Sequence, residues 1–307
     1  MQAVPSAPSP WLRMLRMHQW AKNVLLFVPL MAAHQFTDLH AIWHAALGFL
    51  AFSLLASAVY IANDIMDLEN DRQHPTKRNR PFASGAIPVR AGYVAAPLLL
   101  VVATVLGYFI NLHFLIWLGV YLVVTTAYTF GLKRLVLVDA IVLATLYTIR
   151  IFAGGRASDT PLSYWIVAFA VFLFLSLAFV KRYAELTSEI TDDDGDVDAK
   201  LQIAGRGYRT SDAMLVQLLG VAAGFSATVV LALYINSNRS HALYAEPEIL
   251  WAVLPVAVYW VSWIWLKTNR GEMHDDPVIF ALTDRSSFIA ALAFVAIIVV
   301  ATLGWVP

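Results

Sequence analysis

The stretch NDIMDLENDRQHPTKRNRPFASGAIP, from Asn63 to Pro88, follows the apolar run LGFLAFSLLASAVYIA directly. Acids dominate the first half of the stretch and bases dominate the second half. Uncompensated charge is costly at the end of an apolar helix. A chain that keeps both kinds of charge there is expected to bind a ligand at this position.

The composition indicates that this chain is embedded in a lipid bilayer. The 307 residues are 60% hydrophobic and only 14% charged, and the mean hydropathy is +0.67. These values are typical of polytopic membrane proteins. With no cysteine in the chain, the sequence excludes a disulfide framework, a thiol nucleophile and a Cys-ligated metal. Residues 1–19 lack the pattern of a signal peptide and are predicted to form a short N-terminal tail.

Nine apolar runs are long enough to cross a membrane, since a spanning helix needs about 20 mostly apolar residues. The runs lack the alternation of barrel strands, so we expect an all-α fold. Residues 20–307 are predicted to form one nine-helix membrane domain around a central cavity. The expected spans are 20–36, 42–62, 93–110, 114–132, 135–153, 164–180, 213–235, 249–266 and 288–306.

The bases gather on one side of the predicted membrane domain. With nine spans, the N-terminus shares a side with the loops after spans 2, 4, 6 and 8, and this side carries 18 of the 21 Lys and Arg. Basic loops stay in the cytoplasm, so the N-terminus and the charged stretch are expected there. The acids concentrate on the same side, which indicates a polar chamber. The net charge is zero, and no face is basic enough to predict nucleic-acid binding.

The acids of the opening stretch predict a site for a divalent cation. Asn63, Asp67 and Asp71 are spaced i, i+4, i+8, which places them along one helix face about 6 Å apart; Asp64 lies one residue off that line. Mg²⁺ takes one or two carboxylates and completes its shell with water and phosphate oxygens, so the ladder suits a metal-bridged pyrophosphate. The alternative is a solvated helix end with ordinary ion pairs. The bases expected to hold the remaining anionic oxygens are Arg72, Lys77, Arg78 and Arg80.

A second charged cluster ends the sixth predicted span, in FVKRYAELTSEITDDDGDVDAK. Lys181 and Arg182 are followed by Glu185 and Glu189, again i, i+4. The recurrence suggests two pseudo-equivalent halves that face each other across the cavity, with anion-binding bases and cation-binding acids on both walls. The alternative is a simple helical ion pair between Lys181 and Glu185, worth a few tenths of a kcal/mol.

Three smaller features lie on the same predicted side. YTFGLKRL joins spans 4 and 5 and contains Tyr128, Lys133 and Arg134. These residues are candidate phosphate ligands; the alternative is that Lys133 and Arg134 only set the membrane topology and Tyr128 is an interfacial aromatic residue. The acids from Asp192 to Asp198 resemble a calcium loop only in part, because Gly and Glu are missing from its sixth and twelfth positions, and they are expected to belong to a mobile, solvated loop. Arg206, Tyr208 and Arg209 beyond them are candidates to close over an anionic substrate. The loop before span 9 contains Asp275, Asp276, Asp284 and Arg285, and its apolar segment from Val278 to Leu282 is expected to form a short interfacial helix or lid.

The acidic ladder with KRNRPFASGAIP closely resembles the first motif of the UbiA superfamily of intramembrane prenyltransferases. This resemblance implies nine helices around a cavity that opens to the membrane, and two acidic motifs that hold Mg²⁺ and a pyrophosphate. MHQWAKNVLLFVPL, VKRYAEL and DDPVIFALTDRSS are more similar to the polyprenyl-phosphate phosphoribosyltransferase branch. Glu185 and Glu189 depart from the usual D-x-x-x-D, which weakens the case for an allylic diphosphate.

The resemblance to that branch implies an enzyme of the bacterial plasma membrane. It would transfer 5-phosphoribose from phosphoribosyl pyrophosphate to a polyprenyl (decaprenyl) phosphate for cell-wall arabinan synthesis. Asn63, Asp67 and Asp71 would form the Mg²⁺ site, and Glu185 would lie near the ribose hydroxyls or a second metal. Lys22, with its neighbour Asn23, is the candidate for the lipid phosphate. The expected phosphate ligands are Arg78, Arg80, Tyr128, Lys133, Arg134, Lys181 and Arg182.

Two other functions stay open at this point. An aromatic prenyltransferase on the same fold would use a polyprenyl diphosphate. A transporter would place ionisable groups near the bilayer midplane, whereas no predicted span carries a Lys, Arg, Asp or Glu at its centre. The sequence does not decide the oligomeric state, and a homo-oligomer is one option.

Overall fold

The computed structural model describes residues 9–191, 207–273 and 276–304. This part of the chain is built from helices. Its α-helices are α1 (Pro10–Met14), α2 (Val28–Ala32), α3 (Leu39–Met66), α4 (Leu68–Gln73), α5 (Val89–Ile110), α6 (Leu112–Phe130), α7 (Val138–Ala157), α8 (Tyr164–Thr191), α9 (Ala213–Ile235), α10 (Asn238–Leu243), α11 (Val253–Asn269), α12 (Pro277–Thr283) and α13 (Arg285–Leu303). Its 3₁₀ helices are Met17–Phe27, Lys77–Asn79, Leu132–Arg134, Thr210–Asp212 and Pro247–Ala252.

Eight helical segments within the described ranges are long and apolar enough to cross a membrane. They correspond to the second through ninth predicted spans, and the chain is a multi-pass membrane protein. The first predicted span, 20–36, does not form one long helix. It consists of the 3₁₀ helix Met17–Phe27 and the five-residue α2. Pro29 at the start of α2 has no N–H to donate to the preceding turn. Because this segment is not one long helix, the predicted count of nine spans is not confirmed.

The chain divides into two compact units. The first unit comprises Met1–Thr129 and Ile149–Pro161. The second unit comprises Phe130–Thr148 and Leu162–Pro307. The boundary crosses α7, so the two ends of this helix are assigned to different units.

In the first unit, α3 packs against α5 and against the 3₁₀ helix Met17–Phe27. The predicted tail 1–19 is packed here from α1 onward. Met14 is buried with Ile61, Phe82 and Ile87, and the hydroxyl of Ser57 on α3 donates to the carbonyl of Leu15 at 2.7 Å. The segment that precedes the membrane helices is therefore part of the core of this unit.

A buried polar network ties the 3₁₀ helix to the middle of the spanning helices. Arg150 on α7 donates from Nε to Asn23 Oδ1 at 2.8 Å and from Nη2 to the Tyr121 hydroxyl at 3.0 Å. Asn23 Nδ2 donates to Ser53 Oγ at 3.0 Å. Ser53 and Tyr121 lie near the middle of α3 and α6. The prediction that no span carries a central charge is wrong for Arg150, because α7 begins and ends later than the predicted span 135–153.

Close contacts between helices in both units depend on small residues, as is common in membrane proteins. In the second unit, Gly220 on α9 lies against the ring of Trp265, and its carbonyl accepts a hydrogen bond from Ser176 Oγ at 2.7 Å. In the first unit, Gly154 on α7 lies against the backbone of Leu26. A Cβ at position 154 would be 2.1 Å from the Leu26 carbonyl oxygen. The 3₁₀ helix can approach α7 this closely only because residue 154 has no side chain.

Gly154→Ala is expected to lower the free energy of unfolding by about 1–3 kcal/mol, since the added methyl group would overlap backbone that cannot rotate away. The measurement is thermal unfolding of the purified protein in detergent. Gly119→Ala on α6 is the matched control, because a Cβ there would meet nothing within 4 Å. Equal melting temperatures for the two variants would contradict the proposed contact.

Arg150→Met is expected to destabilise the protein by about 1–3 kcal/mol, because Asn23 Oδ1 and the Tyr121 hydroxyl would lose a buried donor. The control is Arg156→Met on the same helix, where the side chain is exposed. Denaturant unfolding in micelles measures both variants. An Arg150 variant as stable as the Arg156 variant would show that the network does not hold the 3₁₀ helix.

Candidate active site

The acidic ladder lies at the junction of α3 and α4 in the first unit. Asp67 separates the two helices, and its N–H donates to the carbonyl of Asn63 at 2.9 Å. The N–H of Asp71 donates to the carbonyl of Asp67 at 2.8 Å. The backbone therefore keeps helical i, i+4 hydrogen bonds through the junction, as the predicted ladder requires.

Asp64, one residue off the ladder, is a buried acid near the end of α3. It is 4% exposed and forms ion pairs with Arg16 and with Arg80, where Nη1 is 3.2 Å from Oδ1. The same Arg80 nitrogen lies 2.6 Å from Asp71 Oδ2. Arg80, a predicted phosphate ligand, thus bridges two acids and folds the basic half of the stretch back onto the acidic half.

The donor set of the ladder fits a hard divalent cation. Asn63 donates from Nδ2 to Thr129 Oγ1 at 3.4 Å, so its amide oxygen is the atom that can face a metal. Asp67 is half-buried, and its carboxylate has no hydrogen bond or ion pair within the described ranges. Asp71 uses one oxygen for Arg80. Among the described residues, no three His, Asp or Glu side chains are grouped so that they could hold a metal ion together.

The remaining bases of the stretch differ in their surroundings. Arg72 is exposed and pairs with Glu69 at 2.8 Å. Lys77 and Arg78 are exposed on the short 3₁₀ helix, which Arg13 anchors through a hydrogen bond to the carbonyl of Asn79. Lys77 and Arg78 are therefore open to anions from the solvent, whereas Arg80 is engaged by two acids.

Three further predicted ligands of the first unit lie on two elements. Lys22 is half-buried in the 3₁₀ helix Met17–Phe27. Asn23 is only 1% exposed, and its amide is engaged by Arg150 and Ser53, so the structure places it in the core. Tyr128 is half-buried on the last turn of α6, next to the threonine that accepts the hydrogen bond from Asn63.

In the second unit, Lys181 on α8 faces an acid that precedes α12. Its Nζ lies 3.7 Å from Asp276 Oδ2, and the Tyr147 hydroxyl on α7 lies 3.1 and 3.2 Å from the two oxygens of the same carboxylate. Asp276 also caps α12 by accepting from the N–H of Val278 at 3.1 Å. The predicted helix from Val278 to Leu282 is confirmed as α12.

Arg182, the next residue of α8, lies in a different environment and is completely buried. Its Nε is 3.0 Å from Asp139 Oδ2, and its Nη1 pairs with Glu185. The Tyr208 hydroxyl donates to the other Asp139 oxygen at 2.6 Å. Burial, together with the hydrogen bond to this carboxylate, raises the pKa of Tyr208 above its usual value, so the hydroxyl stays protonated. The structure therefore places Arg182, a predicted phosphate ligand, inside an ion-pair network.

The basic turn before α7 carries the last two predicted ligands. Lys133 is half-buried and Arg134 is exposed, both on the 3₁₀ helix Leu132–Arg134. Leu137 follows with a positive φ of 64°, and its N–H donates to the Tyr208 hydroxyl at 2.9 Å. Gly207 packs on this turn, since a Cβ there would lie 2.7 Å from the carbonyl oxygen of Arg134.

Some predicted features lie outside the described residues. They are the acids from Asp192 to Asp198, Arg206 and Asp275. Glu189 lies within α8, but its side chain is outside the described part. Asp284, from the same predicted loop as Asp275, accepts from the N–H of Ser287 at 2.8 Å and caps α13.

Sequence reasoning missed the roles of Asp139, Tyr147 and Arg150. Asp139 could have been identified from the sequence, since it begins an apolar span where an ionised side chain requires a partner. The same reasoning applies to Arg150, which lies inside that span. Tyr147 had none, because its partner Asp276 lies 129 residues away in the sequence.

An apolar cavity of about 340 Å³ lies within the second unit, between α8, α9 and α11 to α13. Aromatic and aliphatic side chains form most of its wall, among them Phe169, Leu173, Trp260, Leu282 and Phe294. A hydrocarbon chain is the kind of ligand that such a lining accommodates.

Comparison with known proteins shows relatives that match most of this chain. Protein y4nM of Sinorhizobium fredii is 41% identical over 92% of the chain, which spans 54% of that relative's length. Nodulation protein NoeC of Azorhizobium caulinodans is 34% identical over 90% of the chain and 88% of its own length. Decaprenyl-phosphate phosphoribosyltransferase of Mycolicibacterium smegmatis is 31% identical over 97% of the chain and 95% of its own length.

The fold also matches that of solved proteins. A UbiA homologue from Archaeoglobus fulgidus, bound to GPP and Mg²⁺, superimposes with a TM-score of 0.68 at 16% identity, over 95% of this chain and 100% of that one. The model of the UbiA prenyltransferase family matches residues 24–292, a range that contains both charged clusters. The chain belongs to the UbiA prenyltransferase family.

Proposed function

We propose that this enzyme transfers 5-phosphoribose from phosphoribosyl pyrophosphate to a polyprenyl phosphate and releases pyrophosphate. The observation that carries the proposal is the end-to-end similarity to decaprenyl-phosphate phosphoribosyltransferase, which leaves no large part of either chain unmatched. The charged clusters also support it, because the first has aspartates at positions 67 and 71 whereas the second has glutamates at positions 185 and 189. On this proposal the enzyme lies in the bacterial plasma membrane with its site toward the cytoplasm, and its product is a precursor of cell-wall arabinan.

Asn63, Asp67 and Asp71 are the residues that would hold Mg²⁺. Two carboxylates and one amide oxygen leave coordination positions for pyrophosphate oxygens. A bound Mg²⁺ would neutralise charge that develops on the leaving pyrophosphate. Arg80 keeps Asp71 and Asp64 together, so it orients one of the metal-binding carboxylates.

The bases would bind and orient the phosphates of the two substrates. Arg78, Lys133 and Arg134 are accessible enough to bind a soluble phosphorylated sugar. Lys181 is half-buried, and its contact with Asp276 is long enough for a phosphate oxygen to replace it. We assign Lys22 to the lipid phosphate. The apolar cavity of the second unit would take part of the polyprenyl chain.

The reaction requires little acid or base catalysis. The bond between the anomeric carbon and pyrophosphate breaks, and its electron pair leaves with the pyrophosphate. An anionic oxygen of the lipid phosphate forms the new bond to the same carbon, which becomes oxocarbenium-like in the transition state. Because the nucleophile is already ionised at neutral pH, no strong general base is required. Glu185 would orient the ribose hydroxyls or bind a second metal.

The second candidate is an aromatic prenyltransferase that uses a polyprenyl diphosphate. The structural neighbour bound to GPP and Mg²⁺ favours it. In that reaction the pyrophosphate would leave the lipid, and the acceptor would be an aromatic ring. The glutamates at 185 and 189, where that class usually has D-x-x-x-D, favour the phosphoribosyl reaction.

An assay of the purified protein in detergent separates the two candidates. The protein is incubated with ¹⁴C-labelled phosphoribosyl pyrophosphate, decaprenyl phosphate and Mg²⁺, and the lipid phase is counted. We expect labelled lipid that disappears when EDTA replaces Mg²⁺. Parallel reactions contain geranyl diphosphate with 4-hydroxybenzoate. Prenylated aromatic product without labelled lipid would reject the phosphoribosyl reaction.

Asp67→Asn is expected to reduce phosphoribosyl transfer at least 100-fold, because the variant lacks an ionised metal ligand that makes no ion pair within the described ranges. Its melting temperature in detergent should stay close to that of the wild type, for the same reason. The control is Glu69→Gln two residues away, an exposed position paired only with Arg72, where we expect full activity. Activity retained in Asp67→Asn would remove this residue from the metal site.

A further inference from the structure

The second unit contains a chain of polar contacts that leads from its core to Glu185. Tyr208 contacts Asp139, Asp139 contacts Arg182, and Arg182 contacts Glu185. Exposure is 0 or 1% for the first three residues, whereas the side chain of Glu185 is 31% exposed. Glu185 is therefore the member of the chain that a substrate can reach.

The network is not arranged for stability alone. A buried ion pair seldom contributes more to stability than apolar residues of the same size. Nη2 of Arg182 is buried and has no hydrogen-bond partner within the described ranges. The guanidinium is held by its ion pairs with Asp139 and Glu185.

Tyr208 also connects this network to the basic turn. Its hydroxyl accepts from the N–H of Leu137 while it donates to Asp139. The left-handed backbone at Leu137 is unusual for this residue type and requires support from its surroundings. The neighbouring Gly207 packs on the carbonyl of Arg134. One hydroxyl thus fixes Asp139 relative to the turn that carries Lys133.

We propose that Asp139 and Tyr208 are positioning residues of the phosphoribosyl transfer. They hold Arg182, which orients the Glu185 carboxylate toward the ribosyl group of the donor. Arg182 itself does not bind phosphate. Lys181 has separate partners, Asp276 and Tyr147, so it keeps its place when the network is broken. This inference rests on the proposed function, because it assigns a role within that reaction.

The test is a double-mutant cycle between Tyr208 and Glu185, assayed with labelled phosphoribosyl pyrophosphate and decaprenyl phosphate. Tyr208→Phe keeps both charges and the ring, and we expect it to lower kcat about 10-fold, as loss of an outer-shell partner commonly does. In the Glu185→Gln background the same change should lower kcat no further, because Tyr208 acts through Glu185. Multiplicative losses would overturn the inference, since they would indicate independent effects.

The matched control is Tyr244→Phe, which removes the hydroxyl of a buried tyrosine that is hydrogen-bonded to Tyr234 in the same unit. Its kcat should equal that of the wild type. Equal kcat for Tyr208→Phe and Tyr244→Phe would also overturn the inference while leaving the proposed function intact. Wild-type protein that forms no labelled lipid would reject the proposed function itself, and this inference with it.

Asp139→Asn provides a second readout. It leaves Arg182 without its buried counter-ion, so we expect a lower melting temperature in detergent and a kcat about 100-fold lower. If this variant does not fold, the Tyr208 cycle still decides, because Tyr208→Phe retains every charge. An Asp139 variant that folds and turns over at the wild-type rate would contradict the proposed role.

Discussion

Charge buried among apolar helices requires a partner, because neither lipid nor a packed core replaces the water that an ionised group loses. Arg150 is held by an amide and a phenol near the middle of the spanning helices, and Arg182 by Asp139 at the start of α7. Asp64 is held by two arginines from opposite sides of the acidic stretch. Each partnership joins segments that are distant in sequence, so matching buried charge also fixes which elements pack together.

This requirement explains which parts of the structure could be predicted. Long apolar runs located eight helices, because a bilayer sets the length of each run. The predicted ends agree with the structure to within four residues, except that α8 extends eleven residues beyond its predicted end. The i, i+4 spacing of the ladder could also be predicted from the sequence, since helix periodicity is a local property. By contrast, Tyr208 and Asp139 are 69 residues apart and Arg16 and Asp64 are 48 apart. No local pattern encodes such pairs. The first predicted span consists of the 3₁₀ helix Met17–Phe27 and the short α2, and no local pattern encodes its contacts with other helices, such as those of Asn23.

The same contacts give different surroundings to predicted ligands that are neighbours in the sequence. Arg78 and Arg80 are two positions apart, yet the first is exposed and the second bridges two acids. Lys181 and Arg182 are adjacent, yet the first is half-buried and the second is entirely enclosed. The sequence reveals that a cluster of bases is present. Burial and partners decide which member meets a substrate and which member orients a neighbour.

The distribution of charge in the second unit also bears on the choice between reactions. Arg182 and Asp139 neutralise each other in the core. Among the side chains that the structure describes on α8 and on the basic turn before α7, the remaining cations are Lys133, Arg134 and Lys181 and the remaining acid is Glu185, while Lys181 also contacts Asp276. A surplus of cations suits a substrate that brings several phosphates of its own. Phosphoribosyl pyrophosphate and a lipid phosphate together carry four phosphate groups, whereas a polyprenyl diphosphate and an aromatic acceptor together carry two.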